Sequence, residues 1–260
     1  MTKLRKYNRI LTSIIVLTGF FLSVSCTTQK YYNTKIEGKQ IGVTNAYPDV
    51  KSIEDYVAPY RDHINQELDH VLAYCPETLD KSKGTWQTTI GNLLADVTIE
   101  MGNPIFQSRE KKNIDICLLN HGGIRAPLPK GDVTTRTAFE IMPFENSLII
   151  IALKGAQIRE MAEYILKERK PHPLSGLKIV ANKDNLSIKS LSVNGKPLQE
   201  DQVYYVATSD YLSNGGDSMN FFKKGIQSYD MDYKLRNLLI DYFKKVDTIP
   251  VITTERIILE

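Results

Sequence analysis

Residues 114–125 read Ile114-Asp115-Ile116-Cys117-Leu118-Leu119-Asn120-His121-Gly122-Gly123-Ile124-Arg125. A short apolar run that stops at an Asn-His-Gly-Gly turn is the pattern of a strand buried on both faces and ending in a loop. Such a strand needs helices or a second sheet against it, and the flanking sequence supplies both kinds of element. Ile90, Leu93, Leu94, Val97 and Met101 repeat at helical spacing, as do Ile158, Met161, Ala162 and Ile165 before Pro171 and Pro173. A third helix is marked by Leu235, Leu238, Leu239, Tyr242, Phe243 and Val246, and a short one by residues 136–141. Residues 147–153 form another continuous apolar run; 177–181, 188–193 and 203–208 read as strands, with a last one near 254–259. Asn194-Gly195 predicts a tight hairpin turn. Strands interleaved with helices, plus a hairpin, predict an α/β fold: a mixed sheet flanked by helices rather than a purely parallel one.

Further out, Ile53, Val57, Tyr60, Ile64, Leu68, Val71 and Leu72 share one helical face. They predict a long amphipathic linker helix over residues 48–76, stopped by Pro76, ahead of a domain spanning 84–260. At the N-terminus, Lys3, Arg5, Lys6 and Arg9 precede thirteen mostly apolar residues and then Ser23-Val24-Ser25-Cys26. That is an export signal over residues 1–25, too short to span a bilayer, with Cys26 as a lipidation site and 26–47 as a polar tether. Ser23 stands where lipoprotein signals usually carry Leu, so plain secretion is the alternative. The expected localisation is a periplasmic or cell-envelope lipoprotein, held to the membrane by its lipid anchor.

The 260 residues, 42% apolar and 24% charged, are enough for one or two globular domains. The formal charge is +3, but without residues 1–25 the chain has 29 basic against 30 acidic groups. This balance gives no electrostatic footprint for a polyanion, so no nucleic acid polymer is expected as a partner. Cys75 and Cys117 do not make a disulfide framework, and Cys117 reads as a buried thiol. His63, His70, His121 and His172 form no metal-ligand cluster: His63 and His70, seven apart on one helix, are too distant to share an ion. No metal site and no cofactor are expected in this chain. Neither a Gly-x-Ser-x-Gly elbow nor a Walker loop is present.

Three loops carry chemistry. They are Asn120 to Arg125, Pro143-Phe144-Glu145-Asn146, and Tyr211-Leu212-Ser213-Asn214-Gly215-Gly216-Asp217. Glycine pairs allow close backbone approach, Arg grips phosphate or carboxylate, Asp suits a vicinal diol, and two aromatics can sandwich a flat ring. Taken singly, each has a plain reading: a turn for the glycines, a helix N-cap for Asp217, a core position for Phe144.

Taken in order, and with Ile90-Gly91-Asn92-Leu93-Leu94-Ala95-Asp96, they resemble the C-terminal, substrate-binding domain of the 5′-nucleotidase family over about residues 84–246. The helix before it resembles that family's interdomain helix. The resemblance implies that Phe144 and Tyr211 stack on the base, Tyr211 standing where the family usually has Phe. It implies that Asp217 holds the ribose hydroxyls and Asn120 bonds the base or sugar. Arg125 would reach toward the phosphate or the sugar's polar edge, while Gly122, Gly123, Asn146, Asn214, Gly215 and Gly216 complete the substrate-binding loops. Family members often carry a further Arg upstream of the Gly-Asn-Leu segment; here no Arg lies between Arg61 and Arg109, and Lys83 is the substitute by position. In the family a metallophosphoesterase domain with two metal ions does the hydrolysis. The expectation is therefore a nucleotide or nucleoside recognition chain with no catalytic residue of its own, working with a separate metallophosphoesterase chain that holds the divalent metals. The alternative is a non-catalytic nucleoside-binding exported lipoprotein.

Overall fold

The computed structural model describes residues 2–22, 31–44 and 47–260. The chain divides into two units, one up to Ile53 and one from Glu54 to Glu260. The first contains helix α1 (Thr2–Leu22), whose described side chains are solvent-exposed. Cys26 lies outside the described residues. No described helix is long and apolar enough to cross a membrane.

Helix α2 (Lys51–Leu68) leads into the second unit, where the order is β1 (Val71–Cys75), α3 (Thr89–Glu110), β2 (Ile116–Leu118), β3 (Gly131–Thr134), α4 (Thr135–Ile141), β4 (Ser147–Lys154) and α5 (Gly155–Glu168). There follow β5 (Leu174–Ser175), β6 (Leu177–Ala181), β7 (Ile188–Val193), β8 (Lys196–Pro197), β9 (Val203–Ser209), α6 (Asp210–Ser213), β10 (Gln227–Lys234), α7 (Leu235–Lys245) and β11 (Ile257–Leu259). The main sheet has the order β10-β4-β9-β2-β5, with β2 and β9 parallel and the other neighbours antiparallel. A second sheet runs β11-β6-β7-β8, and β1 pairs with β3. The fold is thus mixed α/β, as the alternating periods predict.

The continuous apolar runs have a direct cause. In β4, Leu148 and Ile150 face one core with Leu93, Leu94, Leu238, Leu239 and Phe243 of α3 and α7. Ile149, Ile151 and Leu153 face a second core with Ile158, Met161 and Ile165 of α5 and Ile179 and Leu191 of the smaller sheet. Because strand side chains alternate, a sheet covered on both sides demands apolar residues at every position. Asn194 and Gly195 both adopt positive φ (48° and 78°) in the β7–β8 hairpin, the geometry the dipeptide predicts.

The expected helix over 48–76 is corrected. It ends at Leu68, and 71–75 forms β1, paired antiparallel to β3 with Ala73 and Cys75 buried. Val71, Leu72 and Tyr74 fit either period locally, and the partner strand decides between them. Arg136 in α4 donates to Asp69 and Asn65, tying α4 to the C-terminal end of α2. His70 consequently lies beyond the helix that was to carry it beside His63. Strand β10, with alternating Tyr229 and Met231 buried, is an edge strand that the sequence reading did not identify. Cys75 and Cys117 are free and buried, and burial pushes the Cys117 thiol up to about 12.

Candidate functional site

Two of the three loops start where a main-sheet strand stops. The Asn120 loop follows β2, and the 211–217 loop follows the adjacent parallel strand β9 through α6. The Phe144 loop joins α4 to β4, on the other side of β9. Ligands in open α/β sheets lie outside such strand ends. Here Asn120, Gly122, Gly123, Arg125, Phe144, Asn146, Tyr211 and Asp217 line one depression of about 300 Å³. Asn214, Gly215 and Gly216 line a second of about 490 Å³, which shares Asn146 and Tyr211 with the first. All eleven positions expected to bind substrate are therefore brought together, although 97 residues separate the ends of the set.

Phe144 and Tyr211 are 45% and 48% exposed, large rings left uncovered beside a buried core. The plain reading of Phe144 as core does not hold. Its loop is held from beneath by Arg236, buried at 6% exposure, which donates to the carbonyls of Pro143 (3.3 Å) and Phe144 (3.4 Å) and to the Glu145 carboxylate. The same guanidinium lies 4.0 Å over the Phe139 ring. Arg125 sits 5.7 Å over Phe144 and donates to the Gly122 carbonyl. Positive charge and an open aromatic face thus border one wall.

Asp217 lines the same depression. Its Oδ2 accepts from Asn120 Nδ2 (2.7 Å) and its Oδ1 from the Tyr211 hydroxyl (2.9 Å). Asp217 has a positive φ of 50° and caps no helix; its carboxylate faces the depression instead. Gly216 is required here, because a Cβ would stand 2.5 Å from the Tyr211 ring. Gly123 likewise makes room for Asn120, whose Oδ1 would be 2.7 Å from a Cβ.

Below the loops, His172 is buried, and its Nδ1 accepts from the His121 backbone N–H (3.2 Å). That bond leaves the imidazole proton on Nε2. Burial pushes the His172 pKa down to about 4, and burial followed by the Lys81 charge lowers that of His121. The His172 ring is therefore neutral at pH 7 and supports the loop by accepting from the His121 backbone. Lys83, expected as the substitute cation, is exposed and lies beside Asp80; Lys81 reaches the site instead, donating to the Ile124 carbonyl at 2.5 Å. Sequence reasoning also missed Arg236, His172 and Tyr164, none of which carries a local motif signal.

The Gly91-Asn92 segment has a different task. Asn92 is buried, donating to the carbonyls of Ile252 and Thr254, while Asp96 pairs with buried Arg256. These residues of α3 pin the C-terminal segment and touch no ligand surface. Among the described residues no group of three or more His, Cys, Asp or Glu could hold a metal ion. The donor set does not fit a two-metal centre, which needs several such ligands around ions about 3.5–4 Å apart.

The fold thus sets Phe144, Tyr211 and the Asp217 carboxylate around one depression at the ends of the parallel strands β2 and β9. The sequence profile described as "5'-nucleotidase, C-terminal domain" matches residues 71–224, more than half of the chain, and the chain belongs to this family. Among similar proteins, the trifunctional nucleotide phosphoesterase protein YfkN of Bacillus subtilis (strain 168) is 28% identical over 71% of this chain and 14% of its own length. The 5'-nucleotidase of Homo sapiens is 23% identical over 82% of this chain and 41% of its own. A 5'-nucleotidase precursor from Thermus thermophilus shares the fold with a TM-score of 0.65 and 23% identity, over 82% of this chain and 44% of that one. The chain thus spans less than half the length of these relatives.

Proposed function

We propose that this chain recognises the base and ribose of a nucleotide for a 5′-nucleotidase-type phosphohydrolase whose metal ions are held by a separate chain. The observation that carries the reading is the convergence of Phe144, Tyr211, Asn120, Arg125 and Asp217 on one depression. The base lies against Phe144 and Tyr211, and Asp217 with Asn120 takes the ribose hydroxyls. Arg125, with Lys81 behind it, faces the phosphate. Stacking on an aromatic is worth about 1–3 kcal/mol per base, so the two rings supply most of the affinity. This chain's own residues bind and orient; water attack on the phosphate belongs to the metal-bearing partner, and positioning is the contribution made here. The export signal and Cys26 support a lipid-anchored, cell-envelope location, and a similar protein carries the name cell wall protein Lmo0130 in Listeria monocytogenes serovar 1/2a.

Titration of adenosine and AMP by calorimetry into the chain lacking residues 1–26, in metal-free buffer, tests the recognition step. Binding that Phe144→Ala weakens by about 1–3 kcal/mol is the expected result, and no binding to the native chain refutes recognition by the chain alone. Metal-dependent AMP hydrolysis by the purified chain without a partner would refute the division of labour.

A further inference from the structure

The segment 215–218 is wound against its own preference. Gly215 has φ 84°, and the two non-glycine residues Asp217 and Ser218 follow with φ of 50° and 63°. Successive left-handed non-glycine residues persist only where surrounding contacts over-determine them, and such strain clusters at functional sites. In Asp217 every polar group is engaged. The backbone N–H donates to the Tyr211 hydroxyl at 3.2 Å, the two carboxylate oxygens accept from Tyr211 and Asn120, and the backbone carbonyl accepts from the Tyr164 hydroxyl at 2.7 Å. Three of these contacts come from residues that line the depression. The fourth does not: Tyr164 belongs to α5 and is absent from the lining.

We infer that Tyr164 is a positioning residue for diol recognition: by donating to the Asp217 carbonyl it holds the left-handed turn that aims the carboxylate into the depression. The inference rests on the reading of Asp217 as the ribose-binding group and adds the device that orients it. Tyr164 is built for the task. Its ring is fixed between His172 (centroids 5.8 Å apart) and Phe221 (5.7 Å). Burial, then the charges of Glu168 and Asp217, pushes its pKa up to about 12, so the hydroxyl remains a donor throughout the neutral range. Each carboxylate oxygen already accepts one bond and has a second acceptor site free. Two hydroxyls of one ribose can take those free sites only if the carboxylate plane is held, so loss of the Tyr164 bond falls on ligands with a vicinal diol and spares those without one.

The test compares adenosine and 2′-deoxyadenosine by calorimetry on the wild-type chain, Tyr164→Phe and Asp217→Ala, with a urea midpoint for each. The wild type is expected to prefer adenosine by about tenfold, the worth of one hydrogen bond to a charged group. Tyr164→Phe keeps the ring packing and is expected to bring that preference to within about threefold of parity, leaving 2′-deoxyadenosine binding within about twofold of wild type. In the Asp217→Ala background the same change should have no further effect on either ligand, because the two residues act as one unit. Ser218→Gly, which relaxes one left-handed residue, should restore part of the preference when added to Tyr164→Phe. An undiminished preference in a folded Tyr164→Phe chain, or equal weakening of both ligands, overturns the inference and leaves the nucleoside reading intact. A wild-type chain that binds neither ligand, or both alike, removes the role of Asp217 itself and the inference with it.

Discussion

Replacing Arg236 with alanine tests whether the exposed aromatic wall is rigid because of what lies beneath it. Arg236 is 6% exposed, makes two bonds of 3.3 and 3.4 Å to the carbonyls of Pro143 and Phe144, and lies 4.0 Å over Phe139. Bonds of that length merit the low end of the usual range, about 0.5–1 kcal/mol each. The cation–π contact, with Phe139 partly exposed, adds about 1 kcal/mol. Glu145 is largely in solvent, and screening leaves its ion pair with little effect on stability. The expected loss is therefore about 2–3 kcal/mol, which for a unit of this size corresponds to roughly 4–12 °C in Tm. Urea unfolding of Arg236→Ala and Glu145→Gln, followed by calorimetric titration of adenosine into each, is the assay. Arg236→Ala should lose stability and weaken adenosine binding, because the released loop no longer presents Phe144; Glu145→Gln should leave the unfolding midpoint nearly unchanged. A loss below about 0.5 kcal/mol in Arg236→Ala, the level of an ordinary surface change, would refute the reasoning.

His172, neutral in the fold with a pKa of about 4 against 6.5 in the unfolded chain, makes the unfolded state the better proton binder between those values. Stability should be level above about pH 6.5 and fall by about 3 kcal/mol as the pH drops to 4; denaturation midpoints of wild type and His172→Gln over pH 4–7 check this, and an equal slope in both contradicts it. Phe144→Ala should weaken adenosine by about 1–3 kcal/mol with little change in the unfolding midpoint, and Phe144→Tyr should restore most of the affinity. Gly216→Ala would set a Cβ 2.5 Å from the Tyr211 ring and 2.6 Å from the Tyr211 backbone oxygen, so it should reduce both binding and stability, measured by the same titration and melt. Thr88→Ala, which removes the N-cap acceptor for Gly91 N–H at 3.1 Å, should cost about 1 kcal/mol in urea unfolding and leave ligand affinity unchanged.

The local code was legible wherever one period dominated. The run 147–153 reads as a strand covered on both faces, and Ile158, Met161, Ala162 and Ile165 as one face of a helix, so the α/β class and its principal elements are expected from side-chain spacing and run length. The loops holding Asn120, Phe144 and Asp217 were legible as turns with polar or aromatic handles, and their order along the chain, through the resemblance to the family, singled them out as a set. Pairing decided what spacing left open: Val71 to Cys75 became a strand because β3 lies beside it, not because of its own residues. The same is true of the supports. Lys81 rather than Lys83 reaches the loop, Arg236 rises under Phe144 from 92 residues away, and Tyr164 grips Asp217 across 53. Periodicity records which face of an element is buried, because burial is a property each residue has singly. Which donor meets which buried carbonyl depends on two segments meeting in space, and only the packed fold settles that.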